Sequence, residues 1–390
     1  MTLHREYPHL LFKNHWQLSR RTLIMLGQCV AFIRAISDTP IMPKYYEELM
    51  NVALVKGTQS TIAIEGNTLS DVEIEKLRSG ENLPPSKEYQ GREAKNILEA
   101  FNGILFETVY QNKSQLIERE LLLRFHKMVG KELGNRFEAN PGKLRENDVI
   151  VGTYRCPDYR DVPELVNKYC QFLKDEFKFE SVNQLFSDII IQAIVAHVYL
   201  EWIHPFGDGN GRTGRLVEFY ILSRGGNPDI TLHILSNHYN NTRPEYYRQL
   251  DNASKTKDLT EFLEYAILGF RDGLKQTLST IQESQLVSTW QRFVYDKFND
   301  VEIGQKVVFK RRRKFGLEIP LDKKFSFKEI PLLNIQLAHL YSGISEKTLE
   351  RDIAELKRLD ILKYDEKDQK YYANITLINR MFAKKKGLSL

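Results

Sequence analysis

Cysteine is scarce in this 390-residue chain: only Cys29, Cys156 and Cys170 are present. An odd number with no metal-ligand spacing excludes a disulfide framework and a cysteine-built metal site, and fits small core fillers in a reducing compartment. No apolar run approaches the length of a membrane span, and residues 1–6 contain no signal core, so the sequence predicts a cytoplasmic protein that stays out of the membrane. A Walker A sequence is missing, which removes one common phosphate loop. Internal repeats and low-complexity tracts are missing too. What remains is ordinary globular composition, with 42% hydrophobic and 27% charged residues, long enough for two or three domains. Charge is uneven: residues 301–390 hold 20 Lys+Arg against 12 Asp+Glu, a surplus of 8 that leaves −3 for residues 1–300 within the overall +5. A basic final module on a slightly acidic body suggests a division of labour.

The densest chemistry lies at residues 204–215: His204, Pro205, Phe206, Gly207, Asp208, Gly209, Asn210, Gly211, Arg212, Thr213, Gly214 and Arg215. Residues 189–203 before it read as an apolar helix, and helical spacing resumes through Leu216, Phe219 and Tyr220. The motif is therefore a turn between two helices. Glycines let residues 209–211 aim successive N–H groups at one point, and the following helix adds its positive end, which together make an anion cradle. Arg212 and Arg215, about one turn apart, supply guanidinium forks for further phosphate oxygens. Asp208 is a hard oxygen ligand suited to Mg²⁺ that keeps most of its shell as water and phosphate. His204, ending the buried helix, is placed to take a proton. The glycines also match G-x-G-x-x-G, but a helix precedes them where the dinucleotide fold needs a strand, so that reading is set aside.

The stretch resembles the HPFx[D/E]GNGRxxR signature of the Fic family, with every signature position filled by His204, Pro205, Phe206, Asp208, Gly209, Asn210, Gly211, Arg212 and Arg215. The resemblance implies transfer of AMP from ATP, with Mg²⁺, to a Tyr, Ser or Thr hydroxyl of a target protein, the chain itself included. His204 would be the general base, Asp208 the metal ligand, and Phe206, residues 209–211, Arg212 and Arg215 nucleotide contacts. A phosphotransferase branch carries Lys where Gly211 stands, so the glycine favours nucleotidyl transfer. Residues 236–250 resemble the stretch that lines the base and ribose, with Arg243, Tyr246 and Tyr247 matching. His238 stands where an aromatic is usual, and His238 and Tyr246 are expected nucleotide contacts.

Upstream, residues 61–67 resemble the family's inhibitory motif [S/T]xxxE[G/N]. Thr61 and Glu65 share one helix face. A carboxylate in a last helical turn faces the negative end of the dipole, so Glu65 breaks a local rule, as functional residues often do. The resemblance pairs it with Arg215. Residues 137–158 turn strand-like around Val149, Ile150 and Val151 and predict a short hairpin; the resemblance implies that it is a flap beside the active site that holds a target segment by strand addition. His197, in an apolar run, reads as a core residue.

The expected architecture is mainly α: residues 1–110 a helical region with the inhibitory helix, 111–285 a Fic-like core with the hairpin, 286–304 a connector, and 305–390 a winged helix-turn-helix. In that last module Ser345, Thr348, Arg351, Leu356 and Leu359 resemble a recognition helix, but Glu346, Glu350, Asp352, Glu355, Asp365, Glu366 and Asp368 would repel phosphates. Protein docking or stabilisation of a homodimer is therefore preferred to DNA binding. A DNA-binding transcriptional regulator with a nucleotide-sensing core is the alternative; it leaves an intact His204 without a task.

Overall fold

Apolar residues recur three to four apart through most of the sequence, and helices follow wherever that period holds. The computed structural model describes residues 3–152, 154–177, 185–299, 305–376 and 378. Two compact units divide the chain, Met1–Ser279 and Thr280–Leu390.

In the first unit, α1 (Arg20–Asp38) starts where the Ser19 side chain accepts the Thr22 N–H at 3.1 Å, and buries Met25, Leu26, Cys29, Ile33 and Ile36. Helix α2 (Pro43–Ala63) has Pro43 in its first turn, where a missing N–H costs nothing. Gly57 does not interrupt it. A Cβ at Gly57 would lie 2.1 Å from the His233 ring, so the missing side chain permits close packing. Gly66, with φ +90°, then ends the helical course. Helix α3 (Asp71–Arg78) opens with a complete capping box between Ser70 and Glu73. Helix α4 (Glu88–Leu105) runs into a π-helical turn at Phe106–Tyr110, and α5 (Arg119–Val129) follows.

Strands β1 (Ile150–Val151) and β2 (Tyr154–Arg155) pair antiparallel, Ile150 opposite Arg155 and Val151 opposite Tyr154. The hairpin is thus present but only two residues deep. Helix α6 (Val162–Phe177) comes next; residues 178–184 lie outside the described residues. Helix α7 (Phe186–Ile203) is apolar all round and α8 (Asn210–Arg224) is buried from Asn210 to Ser223. Contrary to the expectation that no run is long enough, α7 has the length and apolar composition of a membrane span, but 78% of it is buried inside the protein, as in a core helix. Helices α9 (Ile234–Asn241), α10 (Arg243–Thr256) and the 40-residue α11 (Thr260–Asn299) complete the series.

The unit boundary falls inside α11. Residues 286–299, read from sequence as connector, carry Trp290, Val294 and Phe298 into the core of the second unit, with Phe315, Leu337, Ile353 and Leu356. Periodicity alone continues through such a helix and does not reveal which core each turn serves. The second unit adds α12 (Lys306–Glu318), α13 (Ile335–Tyr341), α14 (Glu346–Arg358) and the antiparallel pair β3 (Leu362–Asp365) and β4 (Lys370–Ala373). Asp352, fully buried, accepts from both Arg311 (2.6 Å) and Arg312 (2.8 Å). Two arginines of the basic final module are therefore tied to a structural carboxylate.

Candidate active site

Helix α7 stops at His204, which adopts a left-handed conformation, φ 50° and ψ 60°, at the C-cap. Such a turn is unusual for a residue other than glycine and needs fixing by its surroundings. Arg145 does much of this, donating through Nε to the His204 carbonyl at 2.8 Å while its own N–H reaches the Pro205 carbonyl at 2.9 Å. Asn210 brackets Phe206 from the other side, accepting its N–H and donating to its carbonyl, both at 2.9 Å. Phe206 is buried and stacks on His126 at 3.8 Å between centroids. The His126 ring donates through Nε2 to the Asp208 carbonyl and accepts the Gly142 N–H at Nδ1, both at 3.0 Å. Gly207 is forced by space, since a Cβ there would lie 2.6 Å from the Glu138 carbonyl oxygen.

This bracing fixes the His204 imidazole. Its Nδ1 lies 3.3 Å from the Glu201 carbonyl, an oxygen that only accepts, so the proton sits on Nδ1 and Nε2 keeps its lone pair. Burial, with smaller effects from neighbouring charges, drops the imidazole to about 4, so the ring is neutral at pH 7.

Asp208 accepts at Oδ1 from the Gly209 N–H (2.5 Å) and from Arg212 (2.7 Å). Arg212 also pairs with Glu93, which is hydrogen-bonded to Asn67 at 2.9 Å. With 4% exposure, the Arg212 side chain is committed to two carboxylates behind the loop. Arg215 lies deeper still, 1% exposed, and donates through Nη2 to Glu65 at 2.5 Å and to the Thr61 carbonyl at 2.8 Å. The Thr61 hydroxyl makes no bond; its carbonyl is the part that matters. Arg243 donates to the Ala63 carbonyl at 2.5 Å, and Tyr247 to the Ile64 carbonyl at 3.1 Å. Three side chains thus cap the orphan carbonyls where α2 ends and fix the point from which Glu65 projects. Burial alone would raise the Glu65 carboxyl, but Arg215 and Arg212 together hold it below the usual carboxylate range. The carboxylate lies over the cradle: a Cβ on Gly211 would come within 2.2 Å of Glu65 Oε1.

A cavity of about 550 Å³ opens here, lined by Glu65, His204, residues 207–211, Arg215 and Tyr246, with Val151, Gly152 and Tyr154 of the hairpin on one side. The structure therefore brings His204, Asp208, Gly209, Asn210, Gly211, Arg215, Tyr246 and Glu65 to one space. Phe206 and Arg212 brace it from behind. His238 is not part of it: its ring packs against Tyr265, 4.5 Å between centroids, and a Cβ on Gly269 would touch it. A register match in sequence cannot say which face of α9 looks inward. Tyr247, Leu250, Asp251 and Ser254 of α10 supply that wall instead. Arg145, His126 and Glu93 were not singled out from sequence because each acts through a backbone atom or another side chain.

Geometry of this kind defines a class before any comparison: a helical protein that aims a glycine loop and a helix N-terminus at a space shared with an unprotonated histidine nitrogen, a site for holding a polyphosphate beside a base. Residues 116–222 match the Fic/DOC family. It is similar to protein adenylyltransferase fic-1 of Caenorhabditis briggsae, 31% identical over 207 residues, covering 53% of this chain and 37% of that protein. Protein adenylyltransferase Fic of Aedes aegypti is 28% identical over 256 residues, 64% of this chain and 46% of that one. The chain thus spans less than half the length of these curated relatives. Among solved structures, a Fic family protein from Desulfovibrio desulfuricans G20 shares the fold at a TM-score of 0.55 and 19% identity, covering 93% of this chain and 98% of that chain. A Fic-1 fragment from C. elegans aligns at a TM-score of 0.52 and 24% identity over 67% of this chain and 72% of that chain.

Proposed function

We propose that the protein transfers AMP from ATP to a Tyr, Ser or Thr hydroxyl of a protein, and that Glu65 restrains the reaction. The observation that carries this reading is the lone pair of His204 Nε2, held at the edge of a cavity whose wall is the N-terminal end of α8. His204 takes the proton of the attacking hydroxyl; the hydroxyl oxygen bonds to the α-phosphorus; the bond from that phosphorus to the bridging oxygen breaks, and pyrophosphate leaves. The N–H groups of residues 209–211 and the start of α8 stabilise the charge on the transferred phosphoryl group, and Arg215 takes the terminal phosphate once Glu65 yields it. Exposed Ile150 and Val151 support the hairpin as the edge to which a target segment adds a strand.

A metal fits as well. Asp208 spends only Oδ1 on protein donors, and its other oxygen would hold Mg²⁺ together with nucleotide phosphates, which suits an ion that keeps several waters. Among the described residues no group of three or more His, Cys, Asp or Glu forms a metal cage. When bound, the ion would neutralise phosphate charge.

For the second unit, the order α12, α13, α14 and a two-stranded wing supports the winged-helix reading. Acidic Glu346 and Glu350 lie exposed beside Lys347 and Arg351 on α14, which favours protein docking or homodimer stabilisation over DNA. His204→Ala tests the main claim: transfer to protein should be lost while ATP affinity stays within about threefold of the parent's, because the cradle is largely backbone. Transfer at the parent's rate would remove His204 from its role.

A further inference from the structure

Glu201 has no part in the chemistry above, yet it stands just before His204 in α7 and lines the same cavity. Its Oε1 is buried without a partner. That oxygen lies against Gly214, where a Cβ would come within 3.3 Å of it, next to Arg215 in α8. A carboxyl with one oxygen buried and unpaired favours its neutral form. Burial first, then the charge of Glu65, pushes it up to about 8, with Arg215 pulling the other way. The charges of both members of the restraining pair act on it, and its contact with Gly214, the residue before Arg215, sets it beside α8.

We propose that Glu201 is a positioning residue for the nucleotide: as a neutral carboxyl it leaves Arg215 to Glu65 while the site is closed, and it donates a hydrogen bond to a terminal phosphate oxygen when ATP displaces Glu65. This rests on the reading that the cavity takes ATP. An ionised Glu201 would do the opposite on both counts, competing for Arg215 and repelling the phosphate. Facing it are Glu65 just past the end of α2, Arg215 and Glu218 from α8, Tyr246 and Tyr247 from α10, Cys156 beyond the hairpin, and His197 on its own helix with His204 at that helix's cap. Glu218 is also pushed up to about 8, so only substitution at Glu201 separates the two.

If ATP binds the protonated form, its affinity is complete below the free protein's value near 8 and falls by up to about tenfold per pH unit above it. The experiment is calorimetric ATP and AMP binding by the full chain from pH 7 to 10, for the parent, Glu201→Gln and Glu201→Ala. Glu201→Gln, a permanent donor, should escape the alkaline loss shown by the parent. Glu201→Ala should bind ATP about tenfold more weakly at pH 7, the cost of a hydrogen bond to a charged group, and AMP as the parent does. An unchanged pH profile in Glu201→Gln, or parent-like ATP affinity in a natively folded Glu201→Ala, overturns the proposal. Failure of the parent to bind ATP at any pH would instead overturn the nucleotide reading beneath it.

Discussion

Replacing Glu65 with glycine removes one carboxylate and tests two effects together. The carboxylate holds Arg215 at 2.5 Å, and it overlies Gly211 where a phosphate oxygen would sit. Arg215 is 1% exposed and Glu65 30% exposed, so the pair is shielded on the arginine side. A charge-assisted bond of this kind is worth about 1.5–3 kcal/mol. If ATP must break it to dock in line, its removal should raise the transfer rate by roughly tenfold to a hundredfold, at about 1.4 kcal/mol per decade. Arg215 keeps its bond to the Thr61 carbonyl, so it stays aimed at the cavity. The substitution leaves a buried cation without its partner, which lowers the melting temperature of the free protein; bound ATP should restore it by more than in the parent. The assay is the initial rate of protein modification from labelled ATP, parent against mutant, with Glu65→Gly plus His204→Ala as the blank. A mutant with a cooperative melt, bound ATP and no gain in rate would refute the restraint.

The acid limb of the pH–rate profile for Glu65→Gly should lie well below 6.5, because His204 is held at about 4 by burial and its lone pair is lost only as pH falls through that value; a limb centred near 6.5 would contradict the buried base. Gly57→Ala should destabilise the first unit by about 1–3 kcal/mol through overpacking against His233, whose ring would meet the new methyl at 2.1 Å; an unchanged thermal melt would count against that packing. Asp352→Ala leaves Arg311 and Arg312 without their shared carboxylate, and should cost the second unit about 3–5 kcal/mol, seen as an earlier denaturant transition. A transition at the parent's midpoint would make the triad dispensable.

Much of the site was legible because its determinants are local. Nine glycine, asparagine, arginine, aspartate and histidine positions fall within residues 204–215, and helix geometry brings them together whatever the rest of the chain does. Glu65 was legible for a different reason, as a carboxylate at the wrong end of a helix dipole, and its contact with Arg215 across 150 positions is a tertiary fact that only the resemblance suggested. Glu201 was invisible, since one polar residue in an apolar helix reads as a solvated position until Gly214 is seen against it. Arg145 was missed because it acts on the His204 carbonyl, and backbone partners leave no pattern in side-chain identities. The same limit explains Gly57, whose reason is the His233 ring on a distant helix connection, and His238, whose neighbours are Tyr265 and Gly269.

The central claim is that the α-phosphoryl group of ATP, with its nucleoside, ends on a protein hydroxyl. Glu65→Gly protein should therefore be incubated with cell lysate and with ATP labelled either at the α- or at the γ-phosphate, and the protein-bound label counted. The account predicts stable protein-bound label from α-labelled ATP, none from γ-labelled ATP, and loss of the signal on adding His204→Ala. Label arriving from the γ-phosphate alone would mean phosphate transfer, and would contradict the account directly.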